Sequence, residues 1–218
     1  MNRADERLIV VGGGIGGLAT AVATARTGRS VRVLEQAAAF SEIGAGLQMA
    51  PNATRVLDRL GVLDQVVEAG VLPGYLVFHN AVTGKELTRV ALDDHYREHF
   101  GGPYVVVHRS DLLDILLEAA RKAGVELINN ARVEKIEEEP DGVRVTCADG
   151  TEHTGAAVVS CDGLHSVTRA RFSDDRPVAS GYVAYRGTIP IEAVETSGPP
   201  RDVLVWMGPG LHLVQYPL

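Results

Sequence analysis

Leu8-Ile9-Val10-Val11-Gly12-Gly13-Gly14-Ile15-Gly16-Gly17 decides how this chain folds. The four apolar residues predict a β-strand that closes on the glycine turn. Gly12, Gly14 and Gly17 then fit G-x-G-x-x-G. In that pattern the first glycine permits a tight turn, the second lets backbone approach a pyrophosphate, and the third lets a helix pack closely on the strand. The context agrees. Leu18 to Arg26 is an Ala-rich helix, Gly28 stops it, and Val31-Arg32-Val33-Leu34 is a second strand ending at Glu35. The helix start aims unpaired N–H groups and a positive dipole end at the turn. Gly12, Gly14, Ile15 and Gly17 are therefore the expected phosphate-binding residues, with Glu35 accepting hydrogen bonds from an adenosine ribose. A 2′-phosphate there would meet like charge, so FAD or NAD is expected rather than NADP.

With 218 residues, the chain has room for one large or two interleaved domains. Its 45% hydrophobic content is ample for a core, and a net charge of −7 argues against nucleic-acid or anionic-membrane partners. Cys147 and Cys161 form no metal pair and suit a reducing cytoplasm. A strand is reached within about seven residues of Met1, which leaves no room for a signal peptide, and no apolar run approaches a membrane span. A soluble cytoplasmic protein is expected. His79, His95, His99, His153 and His165 stand at no supported metal spacing, and His108 reads as a strand-end residue, so no metal is expected. No nucleophile motif appears.

Further along, Phe40 to Leu47 reads as a glycine-bearing loop, and Pro51-Asn52 opens a helix with Val56, Leu57 and Leu60 on one face. A short helix over Leu63 to Ala69 and a hairpin of Tyr75 to His79 with Glu86 to Leu92 follow. Tyr104 to Val107 predicts a strand leading through His108-Arg109 into a helix capped by Ser110. A meander of 125–128, 133–138 and 143–147 precedes a continuous small-apolar strand over Ala156 to Ser160, expected in a sheet covered on both faces. A helix carrying Ser166 and Arg169 is expected next, and then strands over Tyr182 to Ile189, Val203 to Met207 and Leu211 to Tyr216. The fold class expected is α/β: a Rossmann-like dinucleotide-binding domain (1–75 and 101–175) interleaved with an incomplete, mostly antiparallel sheet (76–100 and 176–218).

Asp162-Gly163-x-x-Ser166-x-x-Arg169 follows a buried strand, where ligands of open α/β sheets gather. It can offer polar contacts to a ribityl or pyrophosphate group, or be a plain Asp-Gly turn before a capped helix. Arg109, next to a helix start, suits an anion contact, although a surface arginine there is the plain alternative.

Together these residues resemble the group A flavoprotein aromatic hydroxylases. The likeness runs through Gly12-x-Gly14-x-x-Gly17, Glu35, Glu42-Ile-Gly-Ala-Gly-Leu-Gln48, His108-Arg109-Ser-Asp-Leu112 and Asp162-Gly163. Gly101-Gly-Pro-Tyr104, Ser180 to Gly187 and His212 to Leu218 are most similar to the branch that converts 3-hydroxybenzoate to 2,5-dihydroxybenzoate. Salicylate and hydroxynicotinate hydroxylases share much of the pattern. The resemblance implies bound FAD, NADH or NADPH as transient reductant, and O₂ activated as a flavin C4a-hydroperoxide that hydroxylates a phenolic acid. It implies flavin contacts at Gln48, Arg109, Asp162 and Gly163, a catalytic histidine at His212 and a pocket tyrosine at Tyr216. Residues 212, 214 and 216 of an alternating strand share a face, so both rings can enter one pocket. A homodimer is the assembly implied.

The sequence departs from the family in one respect. Members carry a later Gly-Asp flavin motif that this sequence lacks, and its last apolar strand runs almost to Leu218. The C-terminal portion is therefore expected to be absent. That keeps open a nucleotide-binding chain without turnover, and a flavin oxidoreductase that does not hydroxylate.

Overall fold

The computed structural model describes residues 6–41, 44, 46–194 and 201–218. In chain order it begins with β1 (Leu8–Val11), α1 (Ile15–Ala25), β2 (Val31–Leu34), β3 (Gly46–Met49), α2 (Pro51–Arg59) and α3 (Leu63–Ala69). Then come β4 (Tyr75–Asn80), β5 (Glu86–Ala91), α4 (Asp94–Phe100), β6 (Val105–His108) and α5 (Arg109–Lys122). The rest comprises β7 (Glu126–Ile128), β8 (Val133–Glu139), β9 (Gly142–Cys147), β10 (Glu152–Gly155), β11 (Ala157–Ser160), β12 (Val203–Gly208) and β13 (Leu211–Gln215). Residues 1–42 with 112–184 pack as one compact unit, and 43–111 with 185–218 as another. These bounds describe packing alone.

In the first unit, β11-β1-β2-β7 form a parallel sheet, with Leu8 opposite Ala157 on one side and Val31 on the other. Ile9, Val10 and Val33 are fully buried, as parallel strands covered on both faces require. α1 lays Leu18, Ala21 and Val22 into the core and packs on β1 and β2. The antiparallel meander β8-β9-β10 closes against the sheet, gathering Ile9, Val11 and Leu34 with Val133, Val145 and Cys147. Each such side chain taken out of water contributes about 1.5–3 kcal/mol, so β1 is fixed far more by burial than by its four-residue ladder.

His153 on β10 is buried, and its Nδ1 lies 3.0 Å from Nη1 of Arg32, which also pairs with Glu126. Burial, and then the Arg32 charge, hold the imidazole pKa below its ordinary value, against the opposing pull of Glu126 and Asp149. The unfolded chain therefore takes up a proton at higher pH than the folded one does. Stability from this site is present above the ordinary histidine range near 6.5 and falls away as acid carries the solution down towards the depressed folded value. Thermal midpoints of wild type and His153→Gln should accordingly diverge between pH 7 and pH 5, with wild type showing the steeper acid loss; parallel curves would contradict this.

The second unit holds the sheet β13-β12-β4-β5, with β12 parallel to β4 and the other pairs antiparallel, beside the antiparallel pair β3-β6. Pro51 starts α2 at a position where its missing N–H costs nothing. Thr54, fully buried on that helix, donates to the carbonyl of Pro103 at 2.8 Å. α4 is capped by Asp93, whose carboxylate accepts from Tyr96 N–H, and is closed by Gly101 at φ 73°. It buries no residue, which explains why apolar spacing does not disclose it.

Several expectations need correction. Val125 to Ile128 is not part of the meander: β7 pairs parallel with β2, and β10 supplies the third meander strand. Val56 is 48% exposed, so the buried α2 face carries Leu57 without it. The loop expected up to Leu47 gives way to β3 at Gly46, while Glu42, Ile43 and Ala45 lie outside the described residues. Ser110 sits inside α5 and does not cap it, and Ser110 N–H faces His108 Nδ1 at 3.4 Å. After Gly163 there is only a 3-10 turn at Arg169–Arg171, and Tyr182 to Ile189 pairs with no strand and lies exposed. Their apolar residues have no partner surface among the described residues, and a strand cannot persist on propensity alone.

Candidate functional site

The glycine turn is built as its residue types require. Gly12 has φ +100°, and a Cβ there would fall on the Cys161 carbonyl, 2.8 Å from its carbon. A Cβ on Gly17 would run into the Gly12 carbonyl oxygen and stand 3.0 Å from its carbon. The turn is thus pressed between α1 and the end of β11, with no space for a side chain at Gly12 or Gly17. Gly14 is the N-cap of α1 and has no side chain to satisfy the helix, whose first ladder bond runs from Leu18 N–H to Gly14 O at 2.9 Å. The N–H groups of Ile15, Gly16 and Gly17 therefore have no intrahelical acceptor, and the positive dipole end adds to them. Such a cradle suits a diphosphate.

Glu35 lies at the end of β2, half-buried, with its carboxylate turned towards this turn. Oε2 accepts from Gly13 N–H at 2.6 Å and Oε1 from Ala37 N–H at 2.8 Å. Each oxygen then keeps a lone pair for a sugar hydroxyl, so the acid is held in place and still able to accept. Gly12, Gly14, Ile15, Gly17 and Glu35 are brought together.

At the end of β11, Asp162 Oδ2 accepts from Val167 N–H at 3.0 Å and Gly163 has φ +74°. Ser166 Oγ accepts from Arg169 N–H at 3.0 Å, and Arg169 Nη2 donates to Leu164 O at 2.6 Å. A cavity of about 340 Å³ opens between Asp162, Gly163, Ser166 and Arg169. One oxygen of Asp162 is engaged by Val167 N–H, and the cavity leaves space for a ligand beside it.

In the second unit, Gln48 on β3 accepts through Oε1 from Tyr104 O–H at 2.7 Å. Burial raises the Tyr104 phenol pKa, so it remains a donor at neutral pH. The Gln48 amide NH₂ remains for another acceptor. Sequence places Tyr104 only as a strand residue; no spacing pairs it with Gln48, and only the β3-β6 register does. Arg109 is the first residue of α5, one position deeper than expected, and Gly44 packs on its stem, where a Cβ would lie 2.8 Å from Cδ. His212, on β13 opposite Met207, is exposed. Tyr216, just past that strand, donates to Gly46 O at 3.0 Å and packs on Gly46. Among the described residues, no cluster of His, Cys, Asp and Glu could hold a metal, and no helix is long and apolar enough to cross a membrane.

A glycine cradle on a parallel sheet, with an inward acid one strand away, is dinucleotide architecture. Residues 5–208 match the family described as FAD binding domain. The chain belongs to that family. This FAD binding domain is 40% identical over 218 residues to the 3-hydroxybenzoate 6-hydroxylase of Polaromonas naphthalenivorans, covering 100% of this chain and 54% of that protein. It is 41% identical over 215 residues to 3-hydroxybenzoate 6-hydroxylase 1 of Aquipseudomonas alcaligenes, covering 98% and 55% respectively. Among solved structures, Klebsiella pneumoniae HpxO complexed with FAD and uric acid is similar with a TM-score of 0.75 at 25% identity, over 97% of this chain and 53% of that one. The FAD binding domain described here thus spans about half the length of the curated relatives it matches.

Proposed function

We propose that this chain carries the FAD-binding part of an NAD(P)H-dependent monooxygenase that converts 3-hydroxybenzoate to 2,5-dihydroxybenzoate. The observation that carries the reading is the close-packed glycine turn, with no room for a Cβ at Gly12 or Gly17, and Glu35 hydrogen-bonded beside it. In this reading residues 1–75 and 101–175 serve the cofactor, and 76–100 with 176–218 serve the substrate.

The N–H groups at Gly14, Ile15 and Gly17 hold the pyrophosphate, and Glu35 holds the ribose hydroxyls. Asp162 and Gly163 border the cavity at the sheet end, and Gln48 and Arg109 are assigned to flavin contacts. When bound, FAD supplies the redox chemistry, taking electrons from NADH or NADPH and delivering one oxygen atom of O₂ to the ring. The chain must then make the ring electron-rich. That role falls to His212, where a ring nitrogen accepts the phenol proton, and the phenolate so formed is the better nucleophile. Tyr216, whose hydroxyl donates to Gly46 O, is assigned to the substrate pocket.

Flavin titration and product analysis test the reading. Purified chain titrated with FAD should turn yellow and quench flavin fluorescence, and NADH oxidation should accelerate with 3-hydroxybenzoate while 2,5-dihydroxybenzoate accumulates. No quenching at all overturns the reading. His212→Ala should lower product formation by about 10²–10⁴-fold while leaving FAD affinity unchanged, because general-base loss acts on chemistry alone. A second reading, FAD binding without turnover, is favoured by one observation: His212 is exposed, so water reaches the base. NADH oxidation yielding H₂O₂ in place of product would select it.

A cytoplasmic location without membrane or nucleic-acid partners accompanies the reading, from a net charge of −7 and two free cysteines. Homodimerisation is the proposed assembly, which sedimentation checks.

A further inference from the structure

We infer that Phe40 positions the ribose-binding acid by seating its ring on Gly13, so that a side chain at position 13 must displace the ring. The inference rests on the reading that the cradle holds the adenosine end of FAD. G-x-G-x-x-G leaves its second position open to any residue, and Gly13 has no positive φ to require a glycine. Yet Gly13 is buried, and a Cβ there would lie 2.6 Å from Phe40 Cδ1 and 3.0 Å from Glu35 Cβ. The aromatic ring takes the space a side chain would need.

The connection after β2 explains why this matters. Its near end is stitched to 128–131: Glu35 N–H donates to Ile128 O and Ala131 N–H to Glu35 O, both at 2.8 Å. Asn130 N–H reaches Ala37 O and Asn129 Nδ2 reaches Ala38 O, each at 3.0 Å. Gln36 to Ala39 are exposed, and Phe40 is the side chain that turns back inwards. The Glu35 carboxylate sits between these anchors, bonded to Gly13 N–H on one side and Ala37 N–H on the other. Backbone hydrogen bonds fix one end of the connection, and the ring on Gly13 fixes the other. Displacing the ring moves Gly13 N–H and Ala37 N–H relative to each other, and the carboxylate with them. Phe40 acts through Gly13 and Glu35.

A double-mutant cycle tests this on the full chain, with FAD fluorescence quenching and AMP competition as readouts and thermal melts of the apo forms as the folding control. Gly13→Ala should weaken FAD about tenfold or more, the equivalent of a mild overpacking. Phe40→Ala should also weaken it, Phe40→Leu less so. The double variant should bind little worse than Phe40→Ala alone, since the added methyl then meets only the 3.0 Å approach to Glu35 Cβ. AMP affinity should fall by the same factors, because the contact serves the adenosine end. Additive losses, an unchanged Gly13→Ala, or losses for FAD without losses for AMP would overturn the inference. A wild-type chain that binds neither FAD nor AMP overturns the proposed function itself, and this inference with it.

Discussion

Replacing Gly17 by alanine should lower the melting temperature and abolish measurable FAD binding, while Gly16→Ala should raise the melting temperature. Both positions lie in α1, where alanine outranks glycine by about 1 kcal/mol, so propensity alone gives both changes the same sign. Their surroundings separate them. A Cβ at position 17 runs into the Gly12 carbonyl and lies 3.5 Å from Cys161 Cβ, whereas at position 16 nothing stands within 4 Å. A backbone carbonyl cannot swing aside, so α1 must retreat from β1. That retreat costs at least the upper part of the ~1–3 kcal/mol typical of overpacking, which exceeds the propensity gain. In a chain of this length 1 kcal/mol corresponds to about 2–4 °C, so calorimetry resolves both signs. Fluorescence titration with FAD reads the cradle separately. A Gly17→Ala chain as stable as wild type contradicts the packing described.

Glu35→Gln should raise the FAD dissociation constant about 10–100-fold, since hydrogen bonds to a charged group contribute about 1.5–3 kcal/mol. Glu35→Arg should weaken FAD further, because a cation then stands where two backbone N–H groups and the ribose hydroxyls all donate. The same variants should alter discrimination between 5′-AMP and adenosine 2′,5′-bisphosphate. Wild type should strongly prefer AMP, since a 2′-phosphate meets the carboxylate; Glu35→Gln should narrow the preference and Glu35→Arg should reverse it. Competition against bound FAD measures all three. Equal preference in wild type would remove Glu35 from the ribose.

The cradle was legible in sequence because each of its requirements restricts residue type. Gly12 needs positive φ, Gly17 needs absent bulk, and β1 needs unbroken apolar residues. The hairpin β4-β5 was legible for the same reason, its Gly84 adopting φ +72° between the strands. Elements whose residues face water left no such trace. α4 buries nothing, and its ring-bearing residues His95, Tyr96, His99 and Phe100 pack against one another. Tyr182 to Ile189 shows the converse error: β-rich composition with no strand beside it among the described residues. The Tyr104–Gln48 bond was hidden because it depends on strand register, which a single strand's composition does not encode.

The nucleotide cradle is closed by the far end of its own unit, where the carbonyl of Cys161 backs Gly12 and β11 pairs with β1 from Leu8↔Ala157 onwards. A ribosome that has translated only the first strand, helix and second strand has made every glycine of the motif and no functional pocket. Cofactor capture must wait until Cys161 has left the exit tunnel, and closing so large a sequence separation is slow compared with local helix formation. Until then β1 lacks its β11 neighbour on one side, whatever the flavin supply.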